Sequence, residues 1–336
     1  MGETIQVASD REYDDTKTVL PTEYAQGLYV KNAPSAEALK LMHLMIASAG
    51  GRMADAVQHK MSLADIRAIK GMRNHDRKSL TLLFEELRAC VLSIDDPEAM
   101  RYTIGGFLDT ATFDYRHEIM GNTTVSWWFG GAFRELAAKS DHWAILDRQT
   151  LFALSSKYSI LLFQHFASLQ GLKHIHSKTF TVDELRALLG IPAGKITRFS
   201  TLNQRVIKPA IEEISQLSRF TLIATPKKIG RSVAAVEISW QVKQDAKALK
   251  KELNTHSTGR KARRNGTAET PAPSFPASHS ISYSEPWKAI ARTHGNGKDI
   301  DLIANDFRAW CKQQGIPLDK AGIEKIFEGF CKRAKI

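Results

Sequence analysis

"TVDELRALLG" (residues 181–190) repeats, about 120 residues downstream, the template of "SLADIRAIKG" (residues 62–71). Both read hydroxyl, two residues, acid, Ile/Leu, Arg, Ala, Ile/Leu, any residue, Gly. The first four positions form a capping box, with Ser62 or Thr181 capping a helix and Asp65 or Glu184 reaching back. Gly71 and Gly190 suit the left-handed residue that ends such a helix. Upstream, "LMHLMIAS" (41–48) and "LLFQHFAS" (161–168) are apolar helices at nearly the same offset. Downstream, "HDRKSLTLLFEELRAC" (75–90) and "RFSTLNQRVIKPAIEEISQLSRF" (198–220) predict a longer third helix in each copy.

Strand patterns follow, "VLSI" (91–94) in the first copy and "FTLI" (220–223) in the second. Hairpins come next: "RYTIGGF", "TATFDYRHEI" and "TTVSWWF" in the first copy, "TLIAT" and "VAAVEISW" around "PKKIGRS" in the second. Three helices and a β-hairpin make a winged helix, and flanking elements in the same order favour duplication over a chance match. The fold class is therefore α+β, with tandem winged-helix domains over 35–147 and 148–240. Residues 1–34 are acidic and unpatterned and are expected to form an N-terminal arm. Residues 241–283 run from a basic stretch into Pro/Ala/Ser-rich sequence, which predicts a disordered linker. Residues 284–336 hold amphipathic helices, "DIDLIANDFRAWCKQQG" and "LDKAGIEKIFEGFCKR" among them, and form a small C-terminal helical module.

Charge separates the two halves. The 336-residue chain carries a net +11. Residues 148–240 hold 13 Lys/Arg against 5 Asp/Glu and residues 241–268 hold 8 against 2, so everything else is slightly acidic. A localised surplus is the footprint of a polyanion-binding surface. Three isolated cysteines, Cys90, Cys311 and Cys331, give neither a disulfide framework nor a zinc motif, which suggests a reducing compartment. No signal peptide or membrane-spanning run is evident, so the expected location is cytoplasmic, with no membrane partner.

The third helix of the second copy has its charges in an odd order. Arg198, Arg205 and Lys208 sit early and Glu212 and Glu213 late, although a helix N-terminus disfavours cations by a few tenths of a kcal/mol. Leu202, Val206, Ala210, Ile214 and Leu217 fall on one face; Thr201, Gln204, Arg205 and Lys208 fall on another, with Asn203 at the edge. Amide, guanidinium and ammonium groups there suit base edges and phosphates of a duplex, whose counterion release outweighs the dipole term. Helix-turn-helix proteins read the major groove with this part of the second helix. Pro209 should kink the helix, leaving the groove-reading part before the bend and the core-packing part after it. Lys227, Lys228 and Arg231 stand at the wing, where phosphate or minor-groove contact is expected. Arg73, His75, Arg77 and Lys78 form a weaker basic cluster at the start of the first copy's third helix.

"SSKYSILLF", "FTVDELRALLGIP" and "RFSTLNQRVIKPAIEEI" together resemble the iteron-binding plasmid replication initiators, a family of tandem winged-helix Rep proteins. The resemblance covers residues 35 to 240 and is strongest from 154 to 217. Carried over by position, it places Arg198, Ser200, Asn203, Gln204, Arg205 and Lys208 on the groove-reading helix; Lys195 and Thr201 join them in the expected DNA-binding set. Two positions depart from the family pattern: Leu161 where a basic residue is frequent, and Asn203 where lysine is common. The resemblance implies binding to direct repeats at a plasmid origin, opening of a neighbouring AT-rich segment, and recruitment of the host initiator and replicative helicase. It also implies dimers formed partly through the first winged helix, which repress the chain's own promoter, with monomers initiating replication.

Other readings compete. A dedicated winged-helix transcriptional repressor would use the same surface. His174-Ile175-His176 has the spacing of the metal-holding histidines of rolling-circle nickases, but it lies between helices and only Tyr283 follows it. "GIPAGKIT" (190–197) resembles a phosphate loop with its glycines one residue too close and no Ser/Thr after Lys195. The expectation is a DNA-binding protein without catalytic residues, metal or cofactor.

Overall fold

The template that repeats in sequence repeats in space. The computed structural model describes residues 2–12, 14–27, 33–69, 72–97, 99–116, 123–172, 174–230, 232–243, 275–277, 280–282, 285–295, 297–318, 320 and 322–333. The chain divides into two compact units, residues 1–268 and 269–336.

In the first unit, one copy of the repeat runs α3 (Ala36–Ala49), β2 (His59–Ser62), α4 (Leu63–Ala68) and α5 (Arg77–Ala89). The other runs α8 (Lys157–Leu169), β8 (Ser177–Thr181), α9 (Val182–Leu188) and a long third helix. That helix consists of α10 (Phe199–Leu202), a π segment (Asn203–Ile207) and α11 (Lys208–Leu217). Both capping boxes form, Ser62 with Asp65 and Thr181 with Glu184, so each short second helix starts where its strand ends. Gly190 is left-handed with φ +58°, and a Cβ there would stand 2.2 Å from that of Ala33. Gly71 lies outside the described residues.

Each copy closes with a three-stranded antiparallel sheet in which the strand before the second helix pairs with the last strand. The orders are β2-β6-β5, using β5 (Leu108–Asp114) and β6 (Thr124–Phe129), and β8-β10-β9, using β9 (Phe220–Ile229) and β10 (Ser232–Val242). This is the winged-helix arrangement, twice. The copies differ at one point where the sequence suggests equivalence. "FTLI" begins β9 and runs directly into the wing, whereas "VLSI" lies in β3 (Val91–Asp96), which among the described residues pairs only with β4 (Arg101–Gly106). The first copy thus carries an extra hairpin between its third helix and its wing. Gly105 seats it: a Cβ there would come within 2.5 Å of the Ala132 side chain on α6 (Gly131–Lys139).

The described residues among 1–34 do not form a separate arm. Within α1 (Glu3–Asp10) Thr4, Ile5 and Ala8 are buried, and β1 (Lys17–Pro21) pairs antiparallel with β7 (Trp143–Asp147). Leu20, Tyr24 and Ala25 are buried in the same core, and Lys17 Nζ meets Asp147 Oδ2 at 2.7 Å. The segment is too short for a periodic signal, and its strand partner lies far along the chain.

The boundary expected at 147/148 separates repeats but not cores. One apolar cluster runs from Ile5 to Trp240. Helices α3 and α8 are buried on nearly every side, so neither can be satisfied by its own sheet, and they pack against one another. A polar pair crosses this contact, His43 Nε2 to Gln164 Oε1 at 3.2 Å. Burial pushes the His43 imidazole down to about 4. Leu161 is buried in the same cluster, which accounts for an apolar side chain at that position.

Among its described residues the second unit has three helices, Glu285–His294, Ile300–Gln313 and Ile323–Arg333, around a core of its own. Its order begins earlier than residue 284. Phe275 is buried with Trp287, Phe307 and Phe327, ring centroids 4.7–4.9 Å away. Asp301 accepts from Ser280 Oγ (2.7 Å) and Ile281 N (2.8 Å). The expected linker therefore ends before Phe275, and residues 244–274 of it lie outside the described residues. Among the described residues, no helix is long and apolar enough to cross a membrane.

Candidate nucleic-acid interface

The long third helix of the second repeat presents two faces, as its sequence predicts. Leu202, Val206, Ala210, Ile214 and Leu217 are all buried. Ser200, Gln204, Arg205 and Lys208 are exposed, and Thr201 and Asn203 are half-buried at the margin. Arg198 is exposed just before the first turn. Among the described residues Lys208 has no carboxylate within ion-pair distance.

At Pro209 the structure shows a change of helix type in place of the expected division at a bend. It lacks the N–H that an α-helix would direct at the Arg205 carbonyl, and its ring crowds that oxygen. The backbone answers with the wider π segment Asn203–Ile207, which ends two residues ahead of it. Asn203, Gln204 and Arg205 thus sit on the π turn, a feature frequent at functional sites. The division between reading and packing is by face rather than by position along the helix. Leu202, Val206 and Ile207 precede Pro209 and are buried.

Two residues outside the expected set hold this helix in place. Arg186 on α9 donates through Nη2 to the carbonyls of Ile196 (3.1 Å) and Thr197, and through Nη1 to Asp183 (2.9 Å). It thereby ties down the loop that leads into α10. Ile196 in that loop has φ +50°, an unfavourable backbone for a β-branched residue. In the first repeat Arg67, at the same template position, donates to the His75 carbonyl (2.9 Å) just before α5. The repeated arginine was the signal; only the fold shows that its partner is the incoming loop. Glu213, 1% exposed, accepts from the N–H (3.0 Å) and hydroxyl (2.6 Å) of Ser155, ahead of α8. This bond keys the rotation of α11 against the first helix.

The wing is the β9–β10 ribbon. Pro226, Lys227, Lys228 and Ile229 are all exposed. Lys227 Nζ reaches Glu237 Oε2 on β10 at 3.3 Å, a half-exposed pair of little energetic weight. Lys228 is free of such pairing among the described residues, and Arg231 lies outside them. Lys195 is exposed in the turn before α10.

The first-repeat cluster is partly committed within its own domain. Arg77 lies 4.4 Å above the Tyr115 ring and His75 Nδ1 is 3.2 Å from Ser79 Oγ, leaving Arg73 and Lys78 exposed. Asp76 caps α5, and its bonds from Ser79 hold its carboxyl below the usual carboxylate range. His174 and His176 are exposed in the connection between α8 and β8. Among the described residues no three His, Cys, Asp or Glu side chains gather as metal ligands.

Comparisons with known proteins bear on the second repeat most directly. Residues 181–240, from the capping Thr181 to the end of the wing, match the family model described as "Initiator Rep protein, WH2". No curated protein matches the chain. Among solved structures it is similar to the Pi initiator protein in complex with iteron DNA, with 16% identity and a TM-score of 0.49 over 68% of this chain and 98% of that one. It is also similar to domains 2 and 3 of RctB, with 11% identity and a TM-score of 0.36 over 61% of this chain and 80% of that one. The capped second helix, the long third helix and the wing all lie inside the matched span, so the second winged helix of this chain is similar to the second winged-helix domain of initiator Rep proteins.

Proposed function

We propose that the chain is a plasmid replication initiator that binds repeated sites in double-stranded origin DNA and performs no catalytic step of its own. The observation that carries the reading is the exposed Gln204–Arg205–Lys208 face on the third helix of a domain matching the initiator Rep family. A duplex rewards that face twice. Guanidinium and amide forks pair with guanine and adenine edges in the major groove, and each phosphate neutralised releases counterions. The wing lysines supply further phosphate contacts. The resemblance to iteron-binding initiators supports the finer reading: opening of an AT-rich neighbour, recruitment of the host initiator and replicative helicase in the cytoplasm, and repression of the chain's own operator by dimers.

Selection from a random duplex library, followed by footprinting on the DNA flanking the gene, tests this. Protection of several direct repeats, with permanganate-reactive thymines appearing beside them, is the expected outcome. Protection of one inverted repeat without melting would make the chain a dedicated repressor. Equal, weak retention of every duplex would refute both.

A further inference from the structure

The wing of the second repeat ends in a side chain that phosphate binding does not explain. Ile229 is 77% exposed at the last position of β9. It is preceded by Lys227 and Lys228 and followed by Gly230, whose φ is +62°. A Cβ built on Gly230 would meet nothing within 4 Å, so this position faces open space. From Pro226 to Ile229 every residue of β9 is exposed, as is the facing Ser232. That projects the ribbon roughly 13 Å at ~3.3 Å per residue. A register shift between Val233 and Ala235 marks a bulge in the partner strand, the feature that twists and aims a two-stranded ribbon.

A lone surface isoleucine is ordinary. An isoleucine near the exposed end of a basic two-stranded ribbon, in a domain proposed to read duplex DNA, is a different matter. The minor groove is about 6 Å wide, too narrow for a helix but open to a single inserted side chain. Proteins that enter it place cations on the phosphate walls and insert an apolar side chain between base pairs, unstacking them and bending the helix. We infer that Ile229 is such a wedge: it enters the minor groove beside the site read by α10 and the π segment, and makes recognition depend on an easily unstacked pyrimidine–purine step. The inference rests on the DNA-binding reading above. It adds a specificity determinant that acts through deformability rather than through hydrogen bonds, since such steps kink at least cost.

The test uses the full chain and the duplex recovered by selection, about four helical turns long, with dyes at its ends. A second duplex has the pyrimidine–purine step under the wing replaced by a G·C step. The parent chain should bend the first duplex and bind the second ~10-fold more weakly. Ile229→Ser should bind the first duplex ~10-fold more weakly with less bending, keep the parent's salt slope, and lose its discrimination between the two. Ile229→Leu should retain bending and discrimination, and the exposure of the site leaves folding untouched. If Ile229→Ser binds and bends like the parent, or pays the same penalty for the G·C step, the wedge is refuted while DNA binding stands. A parent that prefers no duplex overturns the functional reading and the wedge together.

Discussion

Arg186→Lys is the substitution that separates holding the reading helix from touching DNA. The arginine side chain is 20% exposed and spans three acceptors, the carbonyls of Ile196 and Thr197 and the carboxylate of Asp183. Lysine keeps the charge but is a compact point donor and cannot fork across them. Hydrogen bonds from a charged donor are worth about 1.5–3 kcal/mol each when buried. Thr197 is exposed, so water recovers part of that, and a net loss of about 2 kcal/mol is reasonable. Against it stands the left-handed Ile196, costing about 1–2 kcal/mol and released once the loop is free. A loss of 2 kcal/mol changes the ratio of docked to undocked loop about 30-fold, and apparent affinity falls by up to that factor because only the docked form is competent. Hydrogen exchange of the amides from 196 to 202, measured beside DNA affinity, checks this. Both should change together, with the salt slope unaltered, and Ile196→Gly should restore part of the loss. Parent-like exchange and affinity in Arg186→Lys would show that the loop holds its shape without the fork.

Other consequences are direct. Arg205→Ala should cost ~1–3 kcal/mol of binding and relax base choice at one position, read by selection with the variant. Replacing Lys227 and Lys228 together should weaken all duplexes alike and flatten the salt slope by up to roughly two units; a sequence-selective loss would contradict phosphate contact by the wing. Acid should destabilise the first unit through His43, whose folded pKa of about 4 lies below the ordinary 6.5. Between those values the unfolded chain binds a proton that the folded chain excludes, so stability is complete above pH 6.5 and falls by up to about 3 kcal/mol as pH drops toward 4. His165, pushed down to about 3 by burial and by Lys178, adds in the same direction. Denaturant melts from pH 7 to 4 should show a gentler decline in His43→Gln.

The repeat, its two capping boxes, the buried and exposed faces of the third helix and the disruption at Pro209 were legible in the chain because each depends on local periodicity or on a residue's own stereochemistry. The wing hairpin followed from the same kind of pattern in the second copy. The pattern failed in the first, where "VLSI" enters a hairpin of its own, because hydrophobic alternation marks a strand without naming its neighbour.

Tertiary structure alone decided the rest. A short strand such as "KTVLP" becomes part of a sheet only when "WAILD" arrives beside it. The two first helices share a core because each is apolar all round, and that surplus can be spent only on a partner distant in sequence. Arg186, Glu213 and Ser155 matter through bonds to groups brought near by folding. Local chemistry determined which surface this protein turns toward solvent; long-range packing determined how firmly, and at what angle, that surface is held.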